Sequence, residues 1–241
     1  MHDQDKFIYM LGRIFEVDVI RGISIVLMII FHFGYDLSLF GYASYNTNAD
    51  LEWRVFRGLI VSGFLLSMGM SSYLAYAKRI RWNKLGVGIA KLSVTALLIS
   101  LGSLYMYPQQ WVYFGIIHFI AVSLPISLLF IRAPNGALVI GVAIIATYFT
   151  GYLNMQPIWQ WSVTNLNIPK HTVDLVSFIP WFGVVLMGIF VARHNIFGLR
   201  INNNRLTDGL SLLGKHSLIV YLIHQPVLFL GFNLYQYLTV N

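Results

Sequence analysis

Four polar side chains interrupt an otherwise apolar run at residues 17–37, "VDVIRGISIVLMIIFHFGYDL": Asp18, Arg21, His32 and Asp36. A histidine one helical turn from a carboxylate suits proton transfer. The carboxylate accepts from one ring nitrogen and leaves the other as a general base. Arg21 and His32 are eleven residues apart, which in a helix is about 20° beyond three full turns and a rise of about 16 Å. The two therefore share a face at different depths, with Asp18 within a turn of Arg21 and Asp36 one turn beyond His32. Each charged residue at the centre of a spanning helix costs about 2.5–3.5 kcal/mol, so such a stripe must face protein or water. A structural reading also exists for one end of the stripe, in which Asp18 and Arg21 simply pair at the membrane interface.

Other runs carry companions. "YFGIIHFIAVS" places His118 at a depth expected to match that of His32. "HSLIVYLIHQPVLF" places His224 and Gln225 mid-span, where Pro226 bends the helix and frees the carbonyl of Leu222. "DLVSFIPWFG" sets Asp174 at the mouth of a span with Trp181 deeper, which makes both candidates for the acceptor. Lys91 either snorkels to the interface or meets a phosphate. The histidines lack the spacing of a metal motif, so no metal is expected. Cysteine is absent, which excludes a thiol nucleophile, thiolate metal sites and disulfides.

These residues need helices to position them. The chain is 57% apolar and only 10% charged, against about 25% charged in a soluble domain. Its mean hydropathy is +0.69. The expected fold is an all-α, polytopic membrane bundle forming one domain over residues 1–241. Seven spans are expected, at about 17–40, 54–77, 84–105, 111–131, 135–153, 174–193 and 214–238. The first is long and lacks a cleavage site, so it reads as an uncleaved anchor. The connection 154–173 reads either as a cover for a site or as an interfacial loop with Trp159 and Trp161 at headgroup level. Basic residues cluster in alternate loops: Lys78, Arg79, Arg81 and Lys84, then Arg132, then Arg200 and Arg205. The opposite loops hold only Arg54, Arg57 and Lys170, beside Asp50, Glu52 and Asp174. The positive-inside rule puts the N-terminus in the cytoplasm and the C-terminus outside. That bias accounts for much of the net charge of +7, so no nucleic-acid partner is needed.

Four blocks, "FEVDVIRGISIVLMIIFHFGYDL", "YFGIIHFIAVS", "IPWFGVVLMGIFVAR" and "LGKHSLIVYLIHQPVLF", occur in the order of a known family. Together they resemble the heparan-alpha-glucosaminide N-acetyltransferase catalytic-domain family, in its short bacterial branch. The spacing of Arg21 and His32 is also similar to that of the wider transmembrane acyltransferase superfamily. The resemblance implies an enzyme of the bacterial inner membrane that moves acetyl from cytoplasmic acetyl-CoA to a sugar or glycan on the far side. It implies His32 as the catalytic histidine and Arg21 as its basic partner. The lysosomal enzyme has asparagine in place of His32 and its reactive histidine in the following loop. Here that loop reads "GYASYNTNADLEW", without histidine.

The expected machinery is then His32 and Asp36 as the base pair, with His118, His224 or Gln225 stabilising an oxyanion. Arg21, Lys91 and Asp18 lie on the acyl-CoA side, and Asp174 and Trp181 on the acceptor side. Whether histidine acts as a base or carries the acyl group stays open. So do a homo-oligomer that closes the cavity, a proton-coupled transporter using a His/Asp relay, and an assembly subunit in which the stripe is an interhelical contact.

Overall fold

The computed structural model describes residues 15–47, 49–196 and 201–240. Arg200 of the basic loop, residues 1–14 and Asn241 lie outside them. The described elements are α1 (Phe15–Leu39), α2 (Leu51–Tyr76), α3 (Trp82–Met106), α4 (Ile116–Ser127), α5 (Pro134–Phe149), α6 (Gln156–Leu166), α7 (Phe178–His194), α8 (Arg205–Lys215) and α9 (Ser217–Val240). A 3-10 turn, Leu128–Phe130, follows α4, and one parallel bridge joins Phe114 to Leu175. The chain is all-α apart from that bridge among the described residues.

Among the described residues four helices, α1, α2, α3 and α9, are long and apolar enough to cross a membrane. The other three expected spans are shorter apolar helices. Residues 111–115 and 174–177 are drawn into extended backbone, where Val176 N–H donates to the Phe114 carbonyl at 3.1 Å. Residues after Phe149 turn at Gly151, whose φ is +81°. What remains of α5 and α7 is 16 and 17 residues, less than the roughly 20 that span a bilayer without tilt or thinning.

Two segments expected as connections are helical. Residues 156–166 form α6, opened by Pro157 in its first turn and closed by Asn167 at φ +51°. The basic loop before the last span contains α8. There Asn204 accepts from Thr207 N–H at 3.0 Å while the Thr207 hydroxyl accepts from Asn204 N–H at 2.9 Å, a reciprocal cap. The last helix continues through Pro226 to Val240.

The described residues divide into two compact units, one within 14–64 and 199–241, the other within 65–198. In the first, α1 packs on α8 and α9. A Cβ added to Gly22 would strike the Leu210 carbonyl, and one on Gly214 would strike the Asp18 carbonyl. These two glycines let the α1 and α8 backbones touch. Farther along, Phe33 and Phe40 meet Phe232 at 5.4 and 5.2 Å, and Phe40 meets Phe229 at 5.3 Å, joining α1 to α9. α1 ends in a glycine-terminated turn. Gly41 at φ +78° lets Tyr42 N–H reach the Leu37 carbonyl at 2.8 Å and its own N–H reach Ser38 at 3.1 Å. In the second unit, α5 and α7 pack closely at Gly141 and Gly183, and α3 pairs with α4. α3 exposes Val87, Val94, Leu97, Leu98 and Leu101. An apolar outer face of that kind suits lipid.

Candidate active site

The polar residues of α1 and α9 converge within the first unit. Asp36 is fully buried, and its Oδ1 accepts from Gln225 Nε2 at 2.8 Å, a bond linking residues 189 apart in sequence. Its Oδ2 has no partner among the described atoms, and neither does Gln225 Oε1. The hydrogen bond expected between Asp36 and His32 is absent. The Gln225 amide on α9 engages the carboxylate instead.

His32 faces a second imidazole. Its ring centroid lies 4.8 Å from that of His224, with the planes inclined by 59°, and 5.6 Å from Phe31, edge on. His224 is 8% exposed, and its Nδ1 lies 2.7 Å from the Tyr221 carbonyl oxygen. A carbonyl only accepts, so Nδ1 carries the hydrogen and the Nε2 of the neutral ring holds a lone pair. That Nε2 is buried and unpartnered. The cluster thus offers three buried acceptor atoms: Asp36 Oδ2, Gln225 Oε1 and His224 Nε2. Buried polar atoms normally find partners, and what completes these is a donor. An entering hydroxyl or amine brings one, and an imidazole lone pair can take its proton.

Around this cluster the packing is aromatic. The Trp53 ring from α2 covers Gly34, where any Cβ would strike it, and sits 5.4 Å from Phe31. Eleven residues from His32, Arg21 Nη1 pairs with Asp18 Oδ1 at 3.3 Å, and the Asp18 side chain is 3% exposed. α1 is unbroken between these groups, so the helix rise of about 16 Å separates them.

The remaining expected residues belong to the second unit. His118 is the third residue of α4, and both its nitrogens are engaged. Gly115 N–H donates to Nδ1 at 3.3 Å, so Nε2 carries the hydrogen and donates to Ser100 Oγ at 3.0 Å. The Ser100 hydroxyl in turn donates to the Val112 carbonyl at 2.7 Å. His118 therefore closes the start of α4. Asp174 serves the same helix, its Oδ2 accepting from Ile116 N–H at 3.2 Å. Trp181 is half-buried on α7, and Lys91 is exposed on α3.

Two contributors were not anticipated from sequence. One is the Tyr221 carbonyl, although its position three residues before His224 is the usual spacing for such a back-bond. The other is Trp53, for which no sequence signal exists.

The family model described as heparan-alpha-glucosaminide N-acetyltransferase, catalytic, matches residues 13–226. That stretch includes every member of the α1/α9 cluster. Comparisons with curated proteins and with solved structures give no match.

Proposed function

The chain belongs to the heparan-alpha-glucosaminide N-acetyltransferase catalytic family, and from that premise we propose how its residues carry out acetyl transfer across a membrane. It is a membrane-embedded acetyltransferase. In the proposed arrangement seven segments cross the bacterial inner membrane as one domain, α4, α5 and α7 being short crossings. The N-terminus is cytoplasmic and the C-terminus extracytoplasmic, in line with the basic loops. Acetyl-CoA is the donor, and a sugar or glycan hydroxyl or amine is the acceptor.

Acetyl-CoA docks from the cytoplasm with its phosphates near Arg21, which Asp18 orients. Its pantetheine arm follows the polar stripe of α1 toward His32. The acceptor enters from the opposite face. It donates hydrogen bonds to the unfilled acceptor atoms beside Asp36 and Gln225. The imidazole pair of His32 and His224 removes the acceptor proton as the acceptor oxygen or nitrogen bonds to the thioester carbon. The carbon–sulfur bond then breaks, and the departing CoA sulfur takes up the proton. His118 lies on the other compact unit with both nitrogens bonded, so its part is to hold α4.

The observation that carries this reading is the group of three buried, unfilled acceptors beside His32. The test uses purified protein and acetyl-CoA and follows free CoA. Release should rise with a sugar acceptor and fall with His32→Ala. Release that ignores both changes contradicts the proposal.

A further inference from the structure

The Leu39 end of α1 opens into a cavity of about 410 Å³ lined by Tyr35, Ser38, Ser44, Tyr45, Asn46 and Thr47. We infer that this cavity is a binding subsite for a neutral sugar ring, which it holds while one of the ring's substituents reaches the buried cluster. The inference rests on the acetyl-transfer reading and adds the acceptor's charge class and the residues that select it.

Position comes first. His32, Tyr35 and Leu39 lie three and seven residues apart on one face of α1, and Leu39 also lines the cavity. Tyr35 is about 4.5 Å of helix rise from His32, so the cavity begins within one turn of the reacting imidazole.

Chemistry comes second. The lining offers five hydroxyls and one carboxamide, and it carries no charged side chain. A phosphorylated or carboxylated ligand would find no cation there, whereas a neutral polyol finds donors and acceptors on several sides. The volume falls within the range of roughly 300–1,000 Å³ typical of small-molecule sites.

Preorganisation comes third. The Ser38 hydroxyl donates to the Tyr45 carbonyl at 2.7 Å, which pins the loop back on α1. Asn46 Oδ1 accepts from Ala49 N–H at 3.0 Å, and Asn46 N–H donates to Asp50 Oδ2 at 2.9 Å. The Tyr45 ring rests 5.2 Å from Trp53, whose own ring is seated over Gly34. Tyr45 is therefore a fixed aromatic platform, 46% exposed, before any ligand arrives. Apolar C–H faces of a sugar ring pack on such a platform while its hydroxyls reach the polar rim.

The test places the full chain in nanodiscs with acetyl-CoA and reads free CoA. The probes are soluble methyl glucoside, a glucosyl diacylglycerol in the disc, and glucose 6-phosphate. At least one neutral glucoside should accelerate release saturably while glucose 6-phosphate does not. Which glucoside responds separates a free sugar from a lipid headgroup. Tyr45→Ala should raise the KM for the responding glucoside about tenfold, with the KM for acetyl-CoA and the acceptor-free rate unchanged. Tyr45→Phe should stay near the parent value, and Ser44→Ala should weaken the same KM without touching the Tyr45–Trp53 contact. Several results would overturn the subsite while leaving acetyl transfer intact. They are equal response to glucose 6-phosphate, an acetyl-CoA KM that moves with Tyr45→Ala, or silent glucosides over a working His32-dependent basal rate. Loss of that basal rate would remove the reading underneath as well.

Discussion

The imidazoles of His32 on α1 and His224 on α9 lie 4.8 Å apart, and the Tyr221 carbonyl fixes which nitrogen of His224 carries the hydrogen. In the proposed mechanism two rings this close, one with a buried lone pair and no partner for it, accept and hand on a proton as a unit.

If they act as a unit, their removal is not additive. His32→Ala and His224→Ala should each lower kcat for CoA release by about 10²–10⁴-fold. The double variant should fall little further than the worse single variant, because loss of either member disables the pair. Multiplying losses would show that the two rings work independently.

Gln225 is the sole described donor to a fully buried carboxylate. Gln225→Leu leaves Asp36 with neither oxygen bonded and should destabilise the protein by about 1–3 kcal/mol. The check is the denaturation midpoint in detergent, read with CoA release per folded molecule. An unchanged midpoint would mean that water or lipid already satisfies Asp36.

His118 should behave differently from His32. Its two bonds close the start of α4, so His118→Ala should cost about 1 kcal/mol of stability. Turnover per folded molecule should stay near the parent value. A loss comparable with that of His32→Ala would put His118 into the chemistry.

Glycine substitutions separate close packing from open helix surface. Gly22→Ala drives a methyl into the Leu210 carbonyl and should cost about 1–3 kcal/mol. Gly88→Ala on α3 meets nothing within 4 Å and should gain up to about 1 kcal/mol from helix propensity. Thermal melting of the two variants should move in opposite directions.

Much of the fold was legible because long apolar runs have few physical outcomes. α1, α2, α3 and α9 follow from run length alone. α8 escaped notice because it is short, mixed in polarity and carries Gly209 and Gly214, so it resembles a loop until Asn204 and Thr207 are seen to cap it. α6 was hidden by the amide-rich character of residues 154–167. The members of the α1/α9 cluster stand out in the sequence, but their pairings do not. His32, Asp36, His224 and Gln225 stand out as polar residues in apolar runs. Nothing in the spacing indicates that Asp36 binds an amide 189 residues away rather than the histidine one turn before it. The spacing also gives no sign that Ser100, on a different helix, occupies the Nε2 of His118.

The most direct measurement is sidedness in sealed proteoliposomes. Labelled acetyl-CoA is supplied on the face bearing Lys78 and Arg79, and a sugar acceptor is enclosed on the other. The account predicts labelled acetyl on the enclosed acceptor and free CoA on the supply side, both lost with His32→Ala. Acetyl appearing only on acceptor supplied beside acetyl-CoA, or transfer that survives His32→Ala, would contradict it.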